Sequence, residues 1–191
     1  VIASQADNVI AVRMEADKAG VISFSLSYEA PLPNSQQVDN HCLTATVSNV
    51  GQEGVASGLT AECRLWVESN GRITDQADGI TVEGATEATV YITAATNYVN
   101  YHDVSGSPAA KNDQVKASIA GRPFADLLQA HVSKYQEQYR RVSLSLPRSE
   151  ASSLPTDKRL EAFSQTVNGQ PLDTDLVGLM MQIGRASCRE R

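Results

Sequence analysis

Leu59-Thr60-Ala61-Glu62-Cys63-Arg64-Leu65-Trp66-Val67-Glu68-Ser69-Asn70-Gly71 alternates with a period of two. Leu59, Ala61, Cys63, Leu65 and Val67 fall on one side, and Thr60, Glu62, Arg64, Trp66 and Glu68 on the other. Successive side chains of a strand point to opposite faces, so this pattern predicts a half-buried strand. Asn70-Gly71 then reads as a two-residue hairpin turn, because both residues tolerate the positive φ of a type I′ turn.

The same period extends outward in both directions. Val9 to Glu15 leads to the turn signal Asp17-Lys18-Ala19-Gly20. Ile22, Phe24, Leu26 and Tyr28 alternate with Val21, Ser23, Ser25 and Ser27, which predicts a strand with a serine-lined solvent face. A loop broken by Pro31 and Pro33 follows. Leu43, Ala45 and Val47 alternate with Thr44, Thr46 and Ser48. Downstream, Ile80 and Val82 form a short strand, and Ala88, Val90, Ile92 and Ala94 alternate with Thr89, Tyr91, Thr93 and Ala95. Short strands with frequent turns argue an antiparallel sandwich.

Near residue 105 the period becomes helical. Ser107-Pro108 is a helix start, with serine as N-cap and proline in the first turn, and Gly121 closes that helix. Pro123 opens a second, on which Phe124, Leu127, Leu128, His131, Tyr135 and Tyr139 form one stripe. Val142, Leu144 and Leu146 alternate briefly, and residues 148–155 read as polar linker. Thr156 caps a short helix carrying Leu160 and Phe163. Asp173 or Thr174 caps a last one, with Leu176, Leu179, Met180 and Ile183 on one side. Ile183 to Arg191 matches, residue for residue, the translation of a sequencing-library adapter, and is expected to be read-through rather than sequence evolved to fold. Without it the chain holds 13 basic and 21 acidic residues, a formal charge of −8.

The 191 residues are 41% hydrophobic and 20% charged, a globular composition, and no run of about 18 apolar residues could span a membrane. The chain opens on Val1, so its true N-terminus is expected to be missing. A formal charge of −6 repels phosphate backbones and argues against a nucleic-acid partner. Cys42, Cys63 and Cys188 have no metal-ligand spacing. Cys63 reads as a small buried hydrophobe. A Cys42–Cys63 disulfide requires neighbouring strands.

Chemistry-bearing candidates are few. His102-Asp103 is the one adjacent His-carboxylate pair, but neighbours on a strand face opposite ways. His131 lies on an apolar helix stripe and reads as a packed, hydrogen-bonded histidine. His41 falls in a loop with no partner in view. There is no phosphate-binding loop. Glycoside hydrolysis needs two carboxylates facing across a sugar, and among 22 acidic residues no pair stands out. Glu62 and Glu68 read as ordinary solvated groups. Trp66 and Tyr91, on the polar sides of their strands, could stack on a sugar or pack against an adjoining element.

A set of strings goes further. Asp7-Asn8-Val9-Ile10-Ala11-Val12-Arg13, Ala16-Asp17-Lys18-Ala19-Gly20-Val21-Ile22-Ser23-Phe24, Glu87-Ala88-Thr89 through Ala94-Ala95-Thr96-Asn97-Tyr98, and Asn100-Tyr101-His102-Asp103-Val104-Ser105-Gly106 resemble the sandwich of glycoside hydrolase family 95. Ala130-His131-Val132-Ser133-Lys134-Tyr135-Gln136 and Arg141-Val142-Ser143-Leu144 resemble its linker helices, and Leu154-Pro155-Thr156-Asp157-Lys158-Arg159-Leu160 the lead-in to its helical barrel. The strings occur in the family's order up to Gln182.

The resemblance implies a mainly β chain. An antiparallel β-sandwich of the galactose-mutarotase-like super-sandwich type would be followed by linker α-helices and the truncated start of an (α/α)6 barrel. The implied divisions are 1–106 for the end of the sandwich domain, 107–147 for the linker, 148–182 for the start of the barrel and 183–191 for the adapter-derived tail. The family is chiefly inverting α-L-fucosidases, with some α-L-galactosidases. Its catalytic glutamate and base-side asparagines lie in the barrel, downstream of residue 191, so no catalytic, cofactor-binding or metal-binding residue is expected here. The parent would act on a fucosylated oligosaccharide, without a cofactor, outside the cell or in the periplasm. Two rivals are a non-catalytic carbohydrate-binding sandwich and a family 65-like phosphorylase. Cut off inside the barrel, the helix Leu176 to Ile183 is expected to be frayed or misplaced.

Overall fold

The computed structural model describes residues 1–164 and 173–187; Cys188 lies outside them. Among the described residues the elements are β1 (Ile2–Ser4), β2 (Val9–Glu15), β3 (Ile22–Ser27), β4 (Asn34–Asp39), β5 (Cys42–Ser48), β6 (Thr60–Ser69), β7 (Arg72–Asp75), β8 (Gly79–Ala85), β9 (Glu87–Thr96), α1 (Pro108–Ile119), α2 (Phe124–Tyr139), α3 (Thr156–Ser164) and α4 (Thr174–Ser187). They fall into two units, Val1–Gln138 and Tyr139–Arg191.

In the first unit, β1-β2-β9-β6-β5-β4 form a six-stranded antiparallel sheet and β3-β8-β7 a three-stranded one. The small sheet is one-sided. Phe24 and Leu26 of β3 turn inward, while Ser25 and Ser27 face solvent, as the alternation predicts. Between the sheets lie Leu43, Ala45, Leu65, Val67, Ile80 and Val82, all buried. Leu43, Ile80 and Val82 are fully so, each contributing about 1.5–3 kcal/mol of burial.

The large sheet has a second buried face, on the polar-patterned side. There the sequence left Trp66 and Tyr91 either to stack on a sugar or to pack against an adjoining element, and packing is what the structure shows. Trp66 and Tyr91 are 6% and 4% exposed and pack with Ala11, Cys42, Ile119 and Leu127 under α1 and α2. Thr89 and Thr93 are buried on the same face. The polar-looking side of β6 and β9 is therefore the seat of the helices.

Asn70-Gly71 is not a hairpin turn. β6 belongs to the large sheet and β7 to the small one, so these residues carry the chain across the sandwich. Neither has a positive φ among the described residues. Asn70 Oδ1 instead accepts the backbone N–H groups of Thr86 and Glu87 at 2.9 and 3.1 Å. A Cβ on Gly71 would lie 2.7 Å from both the Ala85 Cβ and the Glu83 carbonyl oxygen, so glycine is required by close approach. The two-residue turn with both φ positive is Asn40-His41, at 48° and 58°, joining β4 to β5.

α1 starts as predicted, with Ser107 Oγ accepting the Ala110 N–H at 3.2 Å, and ends before Gly121, whose φ is 69°. α2 buries Leu127 completely. Its stripe is covered only near the start, since Leu128, Tyr135 and Tyr139 are exposed.

In the second unit, residues 142–149 form no strand, and a 3-10 turn spans Glu150–Ser153. α3 begins at Thr156. Asp173 is the cap of α4: its Oδ1 accepts the Leu176 N–H at 3.0 Å, and both carboxylate oxygens accept from Arg159 at 2.8 and 3.0 Å. The frayed helix expected at Leu176 to Ile183 is instead a regular helix through Ser187. Its capped N-terminus and buried Leu176 hold it, although Leu179, Met180 and Ile183 are exposed.

Candidate functional site

The densest polar arrangement in the first unit lies where α1 crosses β6 and β9. β6 places Glu62 and Arg64 two residues apart, hence on one face, together with Trp66. α1 lowers Asn112 onto them, fully buried. Asn112 Nδ2 donates to the Glu62 backbone oxygen and to Glu62 Oε1, both at 3.0 Å, and Asn112 Oδ1 accepts from Thr93 Oγ1 at 3.2 Å. Arg64 Nε donates to Glu62 Oε1 at 2.7 Å, and Arg64 Nη1 pairs with Asp113 of α1. Burial disfavours the Arg64 charge, but Asp113 and Glu62 more than offset it and hold the guanidinium above its usual pKa.

Glu62 is thus not a solvated carboxylate. Its side chain is largely buried and bound on both sides. The sequence could not show this. α1 reads PAAKNDQVKASI, with only Val115 and Ile119 as larger apolar residues, so its inward face is not marked by periodicity.

Beside this seam is a polar cavity of about 490 Å³ lined by Asp7, Asn8, Thr96, Lys111, Asn112 and Gln114, among others. Its charged groups are engaged elsewhere. Lys111 Nζ donates to the Thr96 and Tyr98 carbonyls at 2.8 and 3.0 Å. Asp7 accepts from Arg122 at 2.6 Å and from Ser4 Oγ at 2.7 Å. These bonds tie α1 and the start of α2 to the sheet.

The remaining candidates are dispersed. His41 has a partner after all: its ring Nδ1 lies 2.8 Å from Asp75 Oδ1, and its backbone N–H donates to Asp75 Oδ2 at 3.0 Å. His102 and Asp103 lie in an exposed turn, not on a strand. The His102 ring lies 3.8 Å from that of Tyr101, and Asp103 Oδ1 accepts the Ser105 N–H at 2.8 Å. His131 is half-buried, with its ring 6.1 Å from that of Tyr135. Trp66 and Tyr91 pack beneath the helices and offer no sugar platform. Burial, then the Glu68 carboxylate, pushes the Tyr91 hydroxyl up to about 12. Glu68 is exposed, and the Tyr91 hydroxyl reaches its Oε2 at 3.4 Å. Cys42 and Cys63 are free. β5 and β6 are neighbours, but Cys63 pairs with Ala45 while Cys42 pairs with Trp66, and the two thiols serve different cores.

A glycosidic acid needs a carboxyl group whose proton is retained near neutrality. Asp75, Asp103 and Asp173 are all shifted the other way. His41 holds Asp75 below the usual carboxylate range, the Ser105 hydroxyl and then its N–H do so for Asp103, and Arg159 for Asp173. No cluster of three or more His, Cys, Asp and Glu side chains among the described residues could hold a metal ion. Among the described residues no helix is long and apolar enough to cross a membrane. What the seam does chemically is fasten helices to a sheet.

Both parts of the chain match known families. Residues 1–101 match the family described as glycosyl hydrolase family 65, N-terminal domain, and residues 123–188 match the glycosyl hydrolase family 95 catalytic domain. The chain belongs, through residues 1–101, to the family of glycosyl hydrolase family 65 N-terminal domains, and the segment after it is similar to the family 95 catalytic domain. Among individual proteins it is similar to "Probable alpha-fucosidase A" of Aspergillus niger, at 27% identity over 199 aligned residues. That alignment covers 95% of this chain and 24% of the relative, so the chain spans about a quarter of the length of the curated relative it matches.

Proposed function

We propose that the parent of this chain is an inverting α-L-fucosidase acting on terminal α-L-fucosyl linkages of oligosaccharides, and that the chain itself carries none of its catalytic residues. The observation that carries this reading is the order of the two matches. A sandwich domain is followed by a family 95-like catalytic segment, in a chain similar to a protein named as an α-fucosidase. In this reading residues 1–106 are sandwich, 107–147 linker and 148–182 the start of the catalytic barrel. The acid and base lie downstream of residue 191. One carboxyl group protonates the leaving oxygen while a base-activated water attacks from the opposite face, the two groups standing about 6.5–9.5 Å apart.

The test is proton NMR of 2′-fucosyllactose incubated with the full-length parent. The expected first product is the β-anomer of L-fucose, formed without added phosphate. A first product of α configuration, or none, would overturn the reading.

The family 65 match over residues 1–101 favours one second reading, a phosphorylase built on the same sandwich. It requires inorganic phosphate and yields a sugar 1-phosphate, so the same NMR experiment with and without phosphate separates the two.

A further inference from the structure

The Asn70-Gly71 crossover between the two sheets is also a chemically reactive pair. Glycine has no Cβ, so its amide nitrogen meets the least hindrance in approaching the side-chain carbon of a preceding asparagine. In that reaction hydroxide takes the Gly71 amide proton, and the nitrogen forms a bond to Asn70 Cγ. The Asn70 Nδ2 leaves as ammonia. Water then opens the five-membered imide at either carbonyl, which gives aspartate or isoaspartate at position 70. Asn70 is exposed, so water and hydroxide reach it.

The fold engages both reacting groups. The Gly71 N–H, whose proton must be lost, donates to Ser69 Oγ at 3.0 Å. Ser69 Oγ in turn donates to the Glu87 carbonyl at 3.0 Å, and the Asn70 N–H donates to the same oxygen at 3.4 Å. Asn70 Oδ1 accepts the Thr86 and Glu87 N–H groups at 2.9 and 3.1 Å. The carbon to be attacked is thus held against the junction of β8 and β9, while the attacking nitrogen is held by Ser69.

We infer that Asn70-Gly71 is a deamidation site that the native fold closes and unfolding opens, and that isoaspartate formed there bars the chain from refolding. Isoaspartate carries the main chain through the side-chain carboxyl and lengthens it by one carbon. The crossover has no room for that carbon. One added at Gly71 would lie 2.7 Å from both the Ala85 Cβ and the Glu83 carbonyl oxygen, so a longer main chain displaces Gly71 or breaks the bonds that Asn70 makes. Modification of the unfolded chain faster than it refolds makes unfolding irreversible. The pair is then a one-way gate on chains that stay open.

The test is peptide mapping of this chain after incubation in mildly alkaline buffer, with and without guanidinium chloride. Trypsin releases LWVESNGR, residues 65–72, which carries Asn70. Its asparagine, aspartate and isoaspartate forms are resolved by reversed-phase chromatography and identified by mass. Conversion is expected to be at least roughly tenfold slower in the folded chain than in denaturant, because the site reacts only on opening. Asn168-Gly169, the sequence's other Asn-Gly pair, lies outside the described residues and supplies a reference rate in denaturant within the same digest. Ser69→Ala, which removes the acceptor of the Gly71 N–H, should speed conversion of the folded chain several-fold and leave the rate in denaturant unchanged. Equal rates for the unmutated chain in buffer and in denaturant would overturn the closed site, whatever Ser69→Ala does. After return to buffer, the folded fraction from size-exclusion chromatography should be depleted of isoaspartate at position 70. Isoaspartate at the same level in folded and unfolded fractions would overturn the bar to refolding.

Discussion

Trp66 and Tyr91 are cross-strand partners in the antiparallel pair β6–β9, and their rings stack with centroids 5.2 Å apart and planes at 23°. The pair lies between the large sheet and the helices that cover it, with Lys116 Nζ 5.5 Å from the Trp66 ring centroid.

Trp66→Ala should therefore destabilise the first unit by about 3–5 kcal/mol, the cost of emptying a buried aromatic site. Urea denaturation followed by circular dichroism measures it. Lys116→Ala, which removes only the cation above the ring, should cost about 0.5–1 kcal/mol. Trp66 is the chain's one tryptophan, so fluorescence of the unmutated chain reports directly on the seating of the helices.

Asn112→Ala should cost about 1–3 kcal/mol, because it removes the buried amide that accepts from Thr93 Oγ1 and donates to the Glu62 backbone and side chain. Asn112→Asp should cost more, by setting a second carboxylate against Glu62. Hydrogen exchange should localise the loss, with α1 amides exchanging faster while the amides between β3 and β8 keep their protection.

Gly71 and Gly178 should respond to alanine with opposite signs. At Gly71 the added carbon meets Ala85 and Glu83 at 2.7 Å, and overpacking of that kind costs about 1–3 kcal/mol. At Gly178, inside α4, it meets nothing within 4 Å, so alanine should stabilise the helix by up to about 1 kcal/mol. Thermal unfolding of the two variants beside the parent chain checks both signs.

The His41–Asp75 pair sets a pH dependence. His41 depresses the Asp75 pKa in the folded state, so the pair's contribution is present above the ordinary aspartate range and is lost as pH falls through the lower folded value. Over the range from about pH 5 to 3, the stability difference between the unmutated chain and Asp75→Asn should shrink as pH falls below about pH 4. Urea midpoints across that range decide it. A difference that grew on acidification would show that the pair does not act this way.

Much of the sandwich and both ends of α1 were legible because each had a local cause. Ser107-Pro108, Gly121 and the serine face of β3 needed no tertiary information. The two turns show where local reading stops. Asn70-Gly71 carried the strongest turn signal but serves as a crossover, because Gly71 answers to Ala85 and Asn70 to the Thr86 and Glu87 amides. Asn40-His41 makes the type I′ turn without a glycine, after β4, whose sequence NSQQVD has no apolar alternation to announce a strand. The second core was invisible for a related reason. Threonines, arginine and glutamate on β6 and β9 look solvated until a weakly patterned helix supplies Asn112 and Asp113 as their partners. The same seam explains why no active site could be read: its polar groups are matched to one another.

On the proposal that the parent is an α-L-fucosidase, the glycosidase chemistry lies outside these 191 residues. The most direct measurement is fucose release from 2′-fucosyllactose by this chain and by the full-length parent, at equal molar concentration. Release by the parent and none by the chain is the expected result. Release by the chain itself, abolished by substituting one of its own carboxylates, would contradict it.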